Sequence, residues 1–420
     1  MSAGPFRFAT GGHISHVCSC KCGQPYDRSN NPRQRPGQHA IQKRQRSWRI
    51  VAFVAVLATV ATGCSKGGTV GPDGPSGFAI LWHQTLPGTN RLSYWFGRPA
   101  LDGDLVFIAD GADIAALDAA TGAVRWSRPV RRAPFPAVEA LVVGGGAVFV
   151  SETDSIMSLD ARTGRTRWTF HPDSQAVVAP ALDETTFYTG QRGIPVVYAL
   201  DRLTGALRWR VTVPNSGPFR AYVKGMTTSG DTLYVTVTRD DAPNGYLASG
   251  VLVAMDRRTG SELWRATSAL GGFHGYADAP IVAGDVLIVH DVLGRSVVAV
   301  DRFAARERWR YTSPLNGPAR GGAVVGSLVL SAMADGTAIG LDLATGALLW
   351  KREIGSSALS GALCNGQFVV VNGLMQRFTV ASGDPSGRLG TGGTFTSWPV
   401  ANGDRLYVTG QDGAYAVGCR

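Results

Sequence analysis

Short apolar runs separated by glycine-containing turns recur along most of the chain, and they predict β-strands. Clear examples of an apolar run, a turn and a second apolar run are Ala100–Asp110, Ala279–His290 and Gly322–Ala332. A second pair of strand signals follows each of these, so each unit contains four strands. Because no helical periodicity separates the units, the pattern predicts an all-β fold of four-stranded antiparallel sheets.

The second hairpin of each unit carries a ten-residue pattern, Leu-Asp-x-x-Thr-Gly-x-x-x-Trp. Its six copies start 42, 41, 55, 45 and 41 residues apart. Asp initiates the turn by accepting backbone N–H groups, Gly supplies a left-handed conformation, and Trp fills the gap to the neighbouring sheet. A repeat of about 40 residues with this content is typical of a β-propeller blade. The copies are Leu117–Trp126, Leu159–Trp168, Leu200–Trp209, Met255–Trp264, Val300–Trp309 and Leu341–Trp350.

Two weaker units follow the six copies. In Cys364–Leu389 the aspartate is replaced and Leu389 is taken to stand in place of the tryptophan, and Asn402–Val417 has only three strands. The segment Phe78–Leu86 reads as the missing fourth strand, so we predict that it completes the last blade and closes an eight-bladed ring. Seven blades is the alternative if Cys364–Leu389 is not a blade. The tryptophans expected to be structural are Trp82, Trp126, Trp168, Trp209, Trp264, Trp309 and Trp350.

The first 63 residues are expected to be a leader and not part of the fold. Basic residues in Lys43–Arg49 precede the short apolar run Ile50–Ala61, and Ala61–Cys64 resembles a bacterial lipoprotein cleavage site at which Cys64 becomes lipidated. An ordinary signal peptide or an uncleaved anchor is the alternative. The predicted organisation is a leader with a lipoprotein signal peptide at 1–63, a flexible tether at 64–77 and a propeller at 78–420.

Charge and cysteine content change the picture only slightly. The chain has 41 basic and 31 acidic residues, of which 9 and 1 lie in the first 63, so the remainder has 32 and 30 and is nearly neutral. Nothing in this balance indicates nucleic-acid binding. After Cys64 the only cysteines are Cys364 and Cys419. Export permits a disulfide between them, but the expectation is two separate thiols.

The repeat resembles that of the pyrroloquinoline-quinone-type propellers and covers Phe78 to Arg420. Two branches of this family matter: the quinoprotein dehydrogenases and the non-enzymatic, BamB-like outer-membrane lipoproteins. The lipidation signal, the tether and a propeller of this size resemble the second branch. That resemblance implies a scaffold in outer-membrane β-barrel assembly, anchored to the bacterial cell envelope and facing the periplasm.

The dehydrogenase branch resembles this chain less. Those enzymes carry an adjacent Cys-Cys pair, Ca²⁺ ligands and a catalytic aspartate, whereas this chain has no Cys-Cys, and its aspartates stand largely in hairpin turns. We therefore expect no catalytic residues, no metal ligands and no cofactor. A quinone-dependent dehydrogenase, or a propeller that binds a small ligand or a polymer, is the alternative function.

Arginine and aromatic residues collect in the connections that surround the central funnel of a propeller. Both residue types are enriched at the energetic centres of protein interfaces. An insertion at Arg239–Ser249 lies in a connection on the same face. We predict a monomeric propeller that binds another envelope protein there. The candidate contacts are Tyr94, Trp95, Arg98, Arg131, Arg132, Arg220, Tyr222, Phe273, His274, Tyr276 and Arg320.

Overall fold

The computed structural model describes residues 77–86, 98–109, 113–129, 141–151, 155–173, 176–191, 194–214, 221–240, 248–266, 279–291, 295–314, 319–355, 360–390 and 395–420. All of them belong to Val70–Arg420, the second of two units into which the chain divides. Within these ranges, no helix is long and apolar enough to cross a membrane.

The described strands form eight four-stranded antiparallel sheets, which confirms the predicted all-β, eight-bladed propeller. Blades 1 and 2 contain β2 (Ala100–Asp102), β3 (Leu105–Ala109), β4 (Asp113–Asp118), β5 (Val124–Pro129), β6 (Leu141–Gly144), β7 (Ala147–Ser151), β8 (Ile156–Asp160) and β9 (Thr166–Phe170). Blades 3 and 4 contain β10 (Ala176–Leu182), β11 (Thr186–Gln191), β12 (Val196–Asp201), β13 (Leu207–Thr212), β14 (Ala221–Ser229), β15 (Thr232–Asp240), β16 (Ala248–Asp256) and β17 (Glu262–Ala266). Blades 5 and 6 contain β18 (Ile281–Ala283), β19 (Val286–Asp291), β20 (Ser296–Asp301), β21 (Glu307–Thr312), β22 (Ala319–Val325), β23 (Leu328–Met333), β24 (Thr337–Asp342) and β25 (Leu348–Glu353). Blade 7 contains β26 (Ser360–Cys364), β27 (Gln367–Val371), β28 (Met375–Thr379) and β29 (Pro385–Leu389), and blade 8 contains β30 (Val400–Asn402), β31 (Arg405–Gly410), β32 (Gly413–Cys419) and β1 (Phe78–Gln84).

The strand order of blade 8 confirms how the ring closes. The first described strand, β1, pairs antiparallel with β32, from Phe78 opposite Cys419 to Gln84 opposite Ala414. It thereby takes the place that the fourth strand holds in the other blades. Strands β26 to β29 form a sheet of their own, so the seven-bladed alternative is wrong.

The apolar core is divided among the junctions between blades. Eight clusters of buried residues each join one blade to the next, and together they run around the whole ring. Successive residues of a strand point to opposite faces of its sheet. Phe107 therefore packs towards blade 2, while its neighbour Val106 packs towards blade 8. This explains why the second and third strands of the blades are largely buried.

Each repeat tryptophan makes the same contact with the following blade. Its indole Nε1 donates a hydrogen bond of 2.8–3.1 Å to the backbone oxygen one residue after the repeat aspartate position of that blade. The ring also lies against the repeat glycine. A Cβ added to Gly122, for example, would lie 2.7 Å from a ring carbon of Trp82, and the φ of Gly122 is +75°. The glycine is thus required both by its backbone conformation and by the packing of the indole.

The repeat aspartate holds the turn that receives the indole. The Asp118 carboxylate accepts the backbone N–H groups of Ala120 and Thr121 and the hydroxyl of Thr121. Its second oxygen accepts a hydrogen bond of 2.6 Å from Arg125. The bond from Arg125, followed by those from Thr121, lowers the pKa of Asp118 to about 2. The turn therefore keeps its charged acceptor throughout the neutral range.

The expectation of two separate thiols is wrong, because Cys364 and Cys419 form a disulfide. The two Cα atoms are 6.0 Å apart although the residues are 55 positions apart in the chain. Cys364 ends β26 of blade 7 and Cys419 ends β32 of blade 8, so the bond joins adjacent blades. Both residues are fully buried in the cluster between these blades.

The assignment of Leu389 to the tryptophan position of blade 7 is also wrong. In the other blades the tryptophan pairs with a small residue of the third strand, as Trp126 does with Ala116. In blade 7 the corresponding pair is Gly387 with Arg377. Leu389 lies two residues beyond Gly387 and is the large apolar residue nearest to the tryptophan position.

The repeat of blade 5 departs from the glycine rule. Ala305 stands where the other repeats have glycine, yet its φ is +57°. An alanine in this left-handed conformation is disfavoured by about 1–2 kcal/mol. Its methyl group also packs in the cluster that contains Trp264. Blade 5 therefore carries a local cost that its neighbours avoid.

We predict that Ala305→Gly raises the free energy of unfolding by about 0.5–1 kcal/mol, since relief of the left-handed alanine exceeds the extra chain entropy of glycine. The matched reverse change is Gly346→Ala in blade 6, where φ is +71° and the new Cβ would lie 2.6 Å from Trp309. That variant should lose at least about 1–2 kcal/mol. Denaturant midpoints measure both, and equal effects of the two changes would contradict the prediction.

Candidate protein-binding face

One face of the propeller carries every connection that leads into a first strand or joins a second strand to a third. This follows from the antiparallel order of the strands, which alternate in direction across each blade. We call it the funnel face. Of the eleven predicted contact residues, the described ranges include Arg98, Tyr222 and Arg320. The others lie outside the described residues, as Cys64 does: Tyr94, Trp95, Arg131, Arg132, Arg220, Phe273, His274 and Tyr276.

The three described candidates belong to three different blades. Arg98 is exposed and lies just before β2 of blade 1. Tyr222 is half-buried at the start of β14 in blade 4. Arg320 is at the start of β22 in blade 6, opposite Ala332. The topology thus places all three at the funnel face, on well-separated parts of the ring.

An irregularity in β14 adds a cation beside Tyr222. The pairing of β14 with β15 shifts between Val223 and Gly225, so Lys224 is the extra residue of a β-bulge. The Lys224 ammonium lies 5.7 Å from the centre of the Tyr222 ring. An aromatic ring and a lysine therefore occur together on the innermost strand of blade 4.

A second irregular inner strand brings blades 6, 7 and 8 together. The pairing of β22 shifts between Arg320 and Gly322, and the intervening Gly321 has a φ of +52°. A Cβ on Gly321 would lie 2.9 Å from the Ser360 hydroxyl of blade 7 and 3.7 Å from the Trp398 ring before blade 8. The half-buried Trp398 therefore reaches past blade 7, next to the backbone that carries Arg320.

The two ends of the predicted insertion belong to strands. Strands β15 and β16 are nine residues long, and their pairing continues to Asp240 opposite Ala248. Both ends of the Arg239–Ser249 segment thus extend a hairpin of blade 4 on the funnel face, whereas residues 241–247 lie outside the described ranges.

The end of β19 buries two titratable groups near the funnel face. His290 is 2% exposed, and its Nε2 has no hydrogen-bond partner in the described structure. Burial lowers the pKa of His290 to about 4. The adjacent Asp291 is fully buried and forms an ion pair of 3.7 Å with Arg310. The imidazole is therefore neutral at pH 7, packed towards Gly322 of blade 6.

The sequence predicts the basic and aromatic residues of the funnel face, but it does not predict the buried His290 and Asp291. The available signal was a His-Asp pair ending the apolar run Val286–Val289. Polar residues at such a place become buried between blades when the ring forms. In the described part of the chain, no group of three or more His, Cys, Asp or Glu side chains is placed to hold a metal ion.

Comparison with known proteins identifies the same architecture. The family described as outer membrane protein assembly factor BamB matches residues 66–221 and 195–414. Among curated proteins, no sequence matches significantly. BamB from Moraxella catarrhalis is similar in structure, with a TM-score of 0.58 and 16% identity over 81% of this chain and 97% of that chain.

Enzymes and other propellers are equally similar in structure. The quinohemoprotein alcohol dehydrogenase from Comamonas testosteroni has a TM-score of 0.62 and 14% identity over 82% of this chain and 77% of its own. Sqt1 from Saccharomyces cerevisiae has a TM-score of 0.61 and 13% identity over 81% and 97%. At these identities the structural matches establish the fold alone.

We predict that stability falls as the pH is lowered from about 6.5 to 4, in part because of His290. The unfolded imidazole takes up a proton from pH about 6.5 downwards, whereas the buried one stays neutral until about 4. This difference is worth at most about 2–3 kcal/mol at pH 4. Denaturant unfolding from pH 7 to 4 should therefore show a shallower decline for His290→Gln than for the unchanged protein. An identical decline would contradict the assignment.

Proposed function

The chain belongs to the BamB-like family of pyrroloquinoline-quinone-type β-propeller repeat proteins, and we propose that it is a non-catalytic scaffold of the bacterial cell envelope. The observation that carries the proposal is the family match, which extends over both halves of the propeller. In this proposal the rigid ring presents the funnel face to another envelope protein, a component of the outer-membrane β-barrel assembly machinery.

Export and anchoring complete the proposal. Cys64 follows a basic segment and a short apolar run, an arrangement typical of a lipoprotein signal peptide. The buried disulfide between Cys364 and Cys419 supports export, because such bonds persist in oxidising compartments. We propose that Cys64 carries the lipid and that the Gly/Pro/Ser-rich segment after it is the tether.

The composition of the funnel face supports a protein partner. Its described residues include the exposed Arg98, the Tyr222–Lys224 pair and the Trp398 ring beside Gly321. Arginine and aromatic side chains combine a large contact area with hydrogen-bonding groups and dominate binding energy at protein interfaces. The opposite face carries the aspartate-held turns, whose side chains are already engaged within their own hairpins.

The similarity to quinoprotein dehydrogenases defines the second candidate function. A quinone bound in the funnel would stabilise the native protein, because a ligand that binds only the folded state raises its stability. Titration with pyrroloquinoline quinone and Ca²⁺, followed by absorbance and melting temperature, therefore separates the two functions. A large rise in melting temperature would favour the dehydrogenase-like alternative.

We predict that Cys64→Ser abolishes lipidation and keeps the protein out of the outer-membrane fraction. Without the thiol, no diacylglycerol can be attached and the signal peptide is not processed at this residue. Incorporation of a labelled fatty acid and fractionation of expressing cells measure the effect. The matched control is Ser65→Ala, which should leave both labelling and membrane association unchanged. Unaltered labelling of Cys64→Ser would refute lipidation at this position.

We further predict that funnel-face substitutions weaken capture of the partner. Arg98→Glu and Tyr222→Ala should each reduce affinity about tenfold or more, as expected for residues at the centre of an interface. Arg162→Glu is the matched control, because its side chain is 78% exposed on the opposite face. It should change affinity less than about twofold. Binding is measured by pull-down of the lipidated protein from envelope extracts, with quantification of the recovered partner.

Two outcomes would overturn the assignment of this face. One is loss of capture by Arg162→Glu with full capture by both funnel-face variants. The other is recovery of no specific partner by folded, lipidated protein. Circular dichroism and melting temperature of each variant should match the unchanged protein, so that a loss of capture reports on the interface and not on folding.

A further inference from the structure

One junction of the ring lacks the contact that the other seven share. Elsewhere the tryptophan of one blade lies on the glycine of the next, as Trp82 does on Gly122, or on Ala305 in the case of Trp264. Between blades 7 and 8, Gly387 holds the tryptophan position. Phe78 holds the glycine position, because it stands four residues before Trp82 just as Gly122 stands four before Trp126. The large and the small residue have exchanged sides.

The reversed pair is supported by contacts found at this junction. Phe78 is buried in the cluster that contains Cys364, Leu389 and Cys419. The Arg377 guanidinium lies 5.6 Å above the Phe78 ring and donates from Nη1 to the carbonyls of Gly77 and Arg420. Arg377 thus occupies a place where the other blades have alanine, serine or glycine, and it links blade 7 to both ends of the composite blade.

The hydrogen bond that an indole makes elsewhere has also been replaced. The backbone N–H of Cys419 donates to the backbone carbonyl of Asp404, just as that of Ala119 donates to the backbone carbonyl of Asp104. Cys419 therefore occupies the position whose carbonyl accepts the indole N–H in other blades. Here the side-chain amide of Asn365 donates to the Cys419 carbonyl at 3.1 Å. The disulfide from Cys419 to Cys364, the neighbour of Asn365, ties the same two blades covalently.

Strand β1 therefore supplies one aromatic residue to each of the two junctions of blade 8. Phe78 serves the junction with blade 7, and Trp82 serves the junction with blade 1. No hairpin connects β1 to its partner β32, unlike the fourth strands of the other blades. Undocking of β1 would remove Phe78 from its position directly opposite Cys419. The ring is closed by the noncovalent pairing of β1 with β32. The disulfide lies beside this pair, between β26 and β32.

We propose that the Cys364–Cys419 bond is a lock on ring closure, made and broken only while β1 is undocked. The two thiols are oxidised to the disulfide, and a disulfide-bearing oxidant takes up their two electrons and two protons and becomes two thiols. In the closed ring, Cys364 and Cys419 are 0% and 1% exposed. Thiol reagents reach the sulfurs when Phe78 leaves its position. Once the bond is formed, β1 covers it and blades 7 and 8 stay joined even when β1 transiently opens.

Reduction of the folded protein tests the lock. The oxidised full-length protein is incubated in native buffer with dithiothreitol, and free thiols are trapped with an alkylating reagent and counted by mass. Phe78→Ala should accelerate reduction at least tenfold. The matched control is Phe149→Ala, which empties a more deeply buried aromatic site between blades 2 and 3. It should accelerate reduction less than twofold.

Equal acceleration by both variants would overturn the proposal, because it would show that the bond becomes accessible only through global unfolding. Reduction of the unchanged protein as fast as a surface disulfide would also overturn it. If Phe78→Ala does not fold, Phe78→Leu leaves a smaller gap and should give an intermediate acceleration relative to the unchanged protein.

Hydrogen exchange provides an independent readout. In Cys364→Ser/Cys419→Ser, amide exchange should rise at least tenfold in β1, β26 and β32, while blades 2 to 4 exchange as in the oxidised protein. A uniform rise over all blades would show that the bond stabilises the whole ring equally, and it would refute a local lock.

Discussion

The packing of an indole on a glycine of the next blade is the contact on which this ring depends. A four-stranded sheet cannot bury both of its apolar faces alone, so each blade needs neighbours on both sides. At seven of the eight junctions the tryptophan spans the gap at the outer end, where the twisted sheets diverge. The indole Nε1 also donates a hydrogen bond to a backbone carbonyl of the next blade, as Trp126 does to Ala161. The contact thus fixes both the spacing of two blades and the position of the second blade's turn.

That contact requires the receiving turn to be rigid. The aspartate carboxylate holds the turn by accepting two backbone N–H groups and a threonine hydroxyl. In four repeats an arginine seven residues later pairs with the same carboxylate. That arginine is the extra residue of a bulge in the outer strand, so the irregularity that accommodates the tryptophan also directs a charge back to the turn. Blade 5 forms the same turn with alanines in place of threonine and glycine, because the Asp301 carboxylate still accepts two backbone N–H groups and Ala305 adopts the left-handed conformation.

Some residues of the candidate binding face can be placed there from the sequence, and others only from the structure. Alternation of strand direction assigns every connection to one face or the other, so Arg98, Tyr222 and Arg320 could be placed there from the order of strands. The sequence could not place Trp398 beside Gly321, because these residues belong to different blades and meet only through the curvature of the ring. Nor could it show that Lys224 is the extra residue of a bulge, because a bulge is defined by how β14 pairs with β15. Burial of His290 likewise depends on the close approach of a neighbouring sheet.

Although it left seven blades open beside eight, the amino-acid sequence was enough to establish the type of fold and the strand that closes the ring. It could do so because the same local instructions are repeated at nearly constant spacing, and a repeated unit needs no long-range information to be recognised. At the junction between blades 7 and 8, where the repeat pattern is lost, the contacts follow only from the packing of the two sheets. Only the strand register shows that Phe78 stands at the glycine position and Gly387 at the tryptophan position. For that reason the sequence prediction that Leu389 replaces the tryptophan was wrong. The disulfide was decided at the same junction, because residues 55 positions apart become neighbours only when the last two blades pack together.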